Sequence, residues 1–194
     1  MRTSSSGFGH WTDRSPSLGD SGIPRVYADR VLHLFGKDTP AVHSADAKVN
    51  QMLKLRPTDY NEIRRHGEET YPHECCGVLL GVIANDRREV RATVRCGNTR
   101  IDSPENRYNI DPRELVRVER EARERDLDIV GFYHSHPDHP ARWSSTDFQE
   151  AHWIGCSYVI TSVEHGRAAQ TNSFALTGTT EEDKALVDEP IVVE

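Results

Sequence analysis

An apolar run with β-branched and aromatic residues, Ile129-Val-Gly-Phe-Tyr133, leads straight into His134-Ser135-His136 and stops at Pro137. Its length and composition predict a short buried strand. Side chains at i and i+2 leave the same face of a strand about 6.6 Å apart, so His134 and His136 can converge on one small cation. After a polar turn, Ser144-Ser145-Thr146-Asp147 opens an expected helix running through Phe148, Ala151 and Ile154. Ser144 and Asp147 are three apart and share a face of its first turn. Two imidazoles from a strand end and one carboxylate from a helix start make a three-ligand set: His134, His136 and Asp147. Three protein ligands leave zinc's fourth position open to water, which is the catalytic rather than the structural pattern.

Each of these residues taken singly also fits a plainer role. Ser144 or Ser145 can cap the helix, and Asp147 can answer its dipole. A histidine at a strand end can be an ordinary polar residue. The four together, in this order, favour the site.

The string His134-Ser-His136-Pro, followed by Ser144-x-x-Asp147, resembles the signature H-x-H-x7-S-x2-D of the JAMM family, the zinc-bearing branch of the MPN domain. The family also carries a glutamate far upstream at the start of a strand, and Pro72-His73-Glu74-Cys75-Cys76-Gly77 resembles that stretch. The likeness runs from about Leu55 to about Leu176. Trp143 departs from it, since bacterial relatives often carry proline there; the loop changes shape but no ligand is lost. The resemblance implies an α/β, cytidine-deaminase-like MPN (JAMM) fold, a mixed β-sheet flanked by helices. It implies one Zn²⁺ per chain with a bound water, held by His134, His136 and Asp147. Glu74 would then take a proton from that water and pass it to the leaving amine. Ser144 would donate to the tetrahedral oxyanion, a contribution of about 3 kcal/mol in the transition state. The implied partner is a ubiquitin-like or sulfur-carrier protein ending in Gly-Gly. Cleavage falls at the amide or isopeptide bond after that tail, or releases an amino acid or short peptide from it.

Bulk properties narrow the remaining classes. The chain has 194 residues, enough for a single domain with a real core and some excess. Its net charge is −7, with 31 acidic against 24 basic residues, so no general nucleic-acid footprint is expected. No apolar run approaches the roughly 18 residues that span a bilayer, and no apolar segment of a secretory signal follows Met1. The four cysteines, Cys75, Cys76, Cys96 and Cys156, form no disulfide framework. A reduced, cytoplasmic setting is expected. The oligomeric state stays open, a homodimer included.

Taken in order, residues 1–50 are expected as a disordered or weakly ordered extension, because Ser, Gly, Asp and Pro dominate their first half. Val26, Tyr27, Val31, Leu34 and Phe35 could give a short amphipathic turn within it, and one reading takes Met52 as the biological start. The domain is expected over 53–178. A helix from Thr58 carries Tyr60, Ile63, Gly67 and Tyr71 as one stripe and ends at Pro72. Cys76–Ala84 and Glu89–Cys96 form a hairpin about an Asn85-Asp86 turn. A long polar loop, 97–111, borders the groove. Pro112 to Asp126 is a helix with Leu115, Val118 and Ala122 inward. Strands follow the Ser144 helix at Ser157–Val163 and Ala168–Leu176. Residues 179–194 are set apart as an acidic tail, whose apolar residues Ala185-Leu-Val187 and Ile191-Val-Val193 either add an edge strand or stay free.

Three other classes fit less well. A non-catalytic MPN scaffold lacks some ligands, and all are present here. A zinc nucleobase deaminase needs a P-C-x-x-C, which this chain does not contain. A thiol-redox role through adjacent Cys75 and Cys76 lacks the C-x-x-C spacing. His139, crowded by Pro140, is read as a loop residue and His73 as a surface one.

Overall fold

The structure is a computed structural model that describes residues 51–84 and 87–194. The expectations for residues 1–50 and for the Asn85-Asp86 turn lie outside the described residues. The described elements are β1 (Met52–Leu55), α1 (Pro57–Thr70), β2 (Cys76–Ala84), β3 (Arg87–Cys96), α2 (Pro112–Glu124), β4 (Asp128–Pro137), α3 (Ser145–Glu150), β5 (Ser157–Glu164), β6 (Arg167–Thr177), β7 (Ala185–Glu189) and β8 (Ile191–Val193). The strands form one eight-stranded sheet in the order β7-β6-β5-β4-β2-β3-β1-β8. It is mixed: β4 pairs parallel with β5, and β1 pairs parallel with β3 and β8, while the other pairings are antiparallel.

A bulge at Val130, where the register steps from Leu79–Gly131 to Leu80–Ile129, interrupts the alternation of β4 and sets which of its residues enter each of two cores. Val130 and Tyr133 pack with Leu53, Ile63, Leu79 and Val159 on the face covered by α1. Ile129 and Phe132 pack with Leu115, Val118 and Ala122 of α2 on the other. Asp111 caps α2 by accepting from Arg113 N at 2.8 Å, with Pro112 in the first turn. Cys75 and Cys76 fall into opposite cores, as neighbours on a strand should. The α1 stripe narrows at Gly67, where a Cβ would lie 2.9 Å from Val163 Cγ2 and 3.2 Å from Ser135 Cβ. That missing side chain lets the helix sit close above β4 and β5.

Of the two alternatives for the apolar residues within 179–194, the structure shows edge strands: β7 and β8 lie on opposite edges of the sheet. Only Pro190 separates β7 from β8, so the sheet must curl until its edges nearly meet; Pro190 O accepts from Leu53 N at 2.9 Å. Burial explains the docking. Glu189 sits inside the closure, bonded to Arg88 Nη1 at 2.7 Å and Ser173 Oγ at 2.6 Å, and Ile191 packs against the α1 core. The helix after Ser144 is shorter than expected, ending at Glu150 rather than reaching Ile154. Lys184 Nζ donates to Ala151 O at 2.8 Å and takes up a carbonyl at the helix end. Among the described residues, no helix is long and apolar enough to cross a membrane.

Candidate metal centre

The two histidines come together because they stand two apart near the end of β4, paired throughout with β5 and, at His134, with β2 as well. His134 is opposite Cys76 of β2 and Ile160 of β5. Alternation puts His134 and His136 on the Phe132 face. Their Nε2 atoms are 3.1 Å apart. Asp147 reaches them from the first turn of α3, with Oδ1 3.3 Å from His134 Nε2 and Oδ2 3.5 Å from His136 Nε2. His134 is fully buried and His136 nearly so.

α3 is set in place by its own start. Ser144 Oγ accepts from Asp147 N at 3.2 Å, while Ser144 N donates to Asp147 Oδ2 at 2.6 Å, a reciprocal capping box. Ser144 is therefore an N-cap, and its hydroxyl proton is still available to a ligand. Glu74 precedes β2, and extending the Cys76–His134 register by two residues places it across from His136. Ser135 N donates to Cys75 O at 3.2 Å, which continues the pairing in that direction. Glu74 is buried at 4% exposure, and its backbone N donates to Pro104 O of the 97–111 loop at 2.7 Å.

The electrostatics separate these groups. Burial pushes Glu74 up to about 8; His136 opposes the shift, and Asp147 and Glu150 add to it. Burial keeps His134 below the ordinary imidazole value. Burial acts on His136 in the same sense, but Asp147 and the Pro140 carbonyl outweigh it and leave it raised. Burial also opposes ionisation of Asp147, yet its bonds to both imidazoles hold it well below the usual carboxylate range.

The donor set fits a divalent metal. His136 Nδ1 lies 2.9 Å from Pro140 O; a carbonyl only accepts, so in the neutral ring Nδ1 carries the proton and Nε2 presents its lone pair. Two imidazole lone pairs and a carboxylate oxygen then face one another with every ligand atom within 4.8 Å. Ligands about 2.0–2.1 Å from zinc form a tetrahedron with edges of about 3.3 Å, against observed separations of 3.1, 3.3 and 3.5 Å.

Residues 58–176 match the family described as prokaryotic homologs of the JAB domain. The chain belongs to that family. Its fold is the JAMM/MPN α/β domain, with a mixed sheet flanked by helices. The JAB-domain chain is 40% identical over 91 residues to a desampylase of Haloferax volcanii, covering 47% of this chain and 63% of that protein. It is 28% identical over 142 residues to a CysO-cysteine peptidase of Mycobacterium tuberculosis, covering 73% and 91%. A solution structure from Desulfitobacterium hafniense superposes with a TM-score of 0.63 at 28% identity, covering 74% and 93%. The chain thus spans just under two thirds of the desampylase and most of the other two.

The structure brings together His134, His136, Asp147, Ser144 and, through the sheet register, Glu74. His139 is exposed, and so is His73, 3.9 Å from Glu105. All four cysteines are buried and free, and burial pushes Cys75 up to about 12, which suits inert core thiols. Tyr108 was not foreseen. Its ring stacks on His134 with centroids 4.6 Å apart and planes at 27°; the only hint in the sequence is one aromatic residue within a long polar loop.

Proposed function

We propose that this JAB-family chain is a zinc-dependent peptidase that hydrolyses the amide or isopeptide bond after the C-terminal Gly-Gly of a ubiquitin-like or sulfur-carrier protein. The observation that carries the reading is the convergence of His134 Nε2, His136 Nε2 and the Asp147 carboxylate at 3.1–3.5 Å beside the buried Glu74. The names of the two relatives support the substrate class, one a desampylase and the other a peptidase of a cysteine-bearing carrier.

His134, His136 and Asp147 would hold the ion. Zinc, when bound, supplies a Lewis acid for the scissile carbonyl and brings the pKa of a water toward about 7. Glu74, whose proton affinity burial raises, would as the carboxylate take a proton from the water and give it to the departing nitrogen. Ser144 keeps its oxygen on Asp147 N and turns its hydroxyl proton to the oxyanion of the tetrahedral intermediate. A Gly-Gly tail suits the site because it carries no side chain and can lie extended beside a strand.

The test is cleavage of a ubiquitin-like carrier extended by one residue beyond Gly-Gly, followed by mass spectrometry. The expected product ends in Gly-Gly, appears with the zinc-loaded protein and stops on chelation. Cleavage that persists at full rate in a metal-free preparation, or no cleavage of any Gly-Gly carrier by the zinc-loaded protein, would overturn the reading.

A further inference from the structure

The two histidines at the site are held by different means. His136 has a hydrogen-bonded partner behind it, the Pro140 carbonyl at 2.9 Å from Nδ1. His134 has none: its Nδ1 is buried without a hydrogen-bond partner. An imidazole ligand without such a bond can rotate about χ2 and carry its lone pair off the metal. The Tyr108 ring stacks on the imidazole, with centroids 4.6 Å apart.

Tyr108 is itself fixed from both sides by one side chain. Asn98 Nδ2 donates to Arg107 O at 3.0 Å, and Asn98 Oδ1 accepts from Asn109 N at 3.2 Å, so the residues before and after Tyr108 are both tied to it. The same Nδ2 donates to Glu74 O at 3.2 Å. Thr99 N donates to Asn109 O at 2.9 Å, and Asn98 bridges to Ile110, completing a short ladder across the loop. One amide thus joins the backbone of the proposed base to the ring that covers the proposed ligand.

We infer that Tyr108 is a positioning residue for His134, fixing the imidazole plane by stacking where a hydrogen bond is absent, and that Asn98 sets Tyr108 and Glu74 in one frame. The inference rests on the zinc reading of the site. Stacking needs the ring and not the hydroxyl, so Tyr108→Phe keeps the function and Tyr108→Leu loses it.

The experiment is zinc affinity by competition with a chromophoric chelator, together with the visible spectrum of the cobalt-substituted protein. Outer-shell partners of ligating histidines are typically worth about 10–100-fold in metal affinity. Tyr108→Leu is expected to bind zinc weaker by about that factor with a shifted cobalt spectrum, and Tyr108→Phe to match the wild type in both. Unchanged affinity and spectrum in folded Tyr108→Leu, or equal loss in Tyr108→Phe, overturns the inference while leaving the metal site standing. Should Tyr108→Leu not fold, Asn98→Ala carries the test, since it leaves the core side chains in place; zinc affinity equal to wild type overturns the inference there. A wild type that binds no zinc removes the zinc reading and this inference together.

Discussion

Asp147 Oδ2 closes the capping box of α3 by accepting from Ser144 N at 2.6 Å, and the same oxygen lies 3.5 Å from His136 Nε2. The other carboxylate oxygen, Oδ1, faces His134. The helix start and the proposed metal site therefore share one carboxylate, so the reading of Ser-x-x-Asp as a cap and its reading as part of a site are compatible. The cap fixes the ligand's rotamer before any ion arrives.

Asp147→Asn is expected to lose zinc. An amide cannot supply the negative charge that faces both imidazoles, and its NH₂ group would oppose one of them. Elemental mass spectrometry of purified protein should give about one zinc per chain for the wild type and little for the variant. Equal zinc in the two would remove Asp147 from the ligand set.

The cap and the oxyanion role of Ser144 can be separated. Ser144→Ala should cost about 1 kcal/mol of stability, while Ser144→Gly costs only a few tenths. Both remove the hydroxyl and should lower kcat by about 10²–10³ with little change in KM. A glycine variant with wild-type turnover would reduce Ser144 to a cap.

Acid stability should depend on His66. Burial lowers it from 6.5 to about 4, and its Nδ1 lies 2.9 Å from the Tyr133 hydroxyl. Because the folded-state value is depressed, the unfolded chain takes up the proton first as the pH falls. The protein therefore loses stability between about pH 6.5 and about pH 4, and the loss levels off below that. His66→Gln should flatten this part of the profile in urea unfolding; an unchanged slope would place the titration elsewhere.

The closure of the sheet depends on a buried ion pair. Arg88 and Glu189 are 2.7 Å apart with side chains 6% and 0% exposed, and Arg88 Nε also donates to Gly155 O. Arg88→Met leaves Glu189 buried without its cation and should cost about 3–5 kcal/mol. The double variant Arg88→Met, Glu189→Leu should recover part of it. A single-variant loss below about 1 kcal/mol, the size expected of an exposed pair, would mean the edges close without it.

The parts legible in the sequence are those set by short-range pattern. The spacing of His134, His136, Ser144 and Asp147 carried the clustering of these side chains, and the stripe Leu115, Val118, Ala122 carried α2, because both depend on periods of two and 3.6. Elements decided by distant partners were not legible. β7 and β8 were ambiguous because their alternation is short and acidic; what seats them is Arg88 and the edge of β1, each about a hundred residues or more away in sequence. The end of α3 is met by Lys184, a distant residue that takes up the Ala151 carbonyl and that no local signal announces. Tyr108 was hidden for the same reason, as stacking on His134 is a tertiary contact made by a loop.

The central claim is that a buried carboxyl beside a metal centre does the chemistry, and Glu74→Gln tests it most directly. Zinc content and turnover of a Gly-Gly-extended carrier would be measured on the same preparation. The account predicts zinc equal to wild type and turnover lower by about 10²–10⁴. Near-wild-type turnover with zinc retained would contradict it.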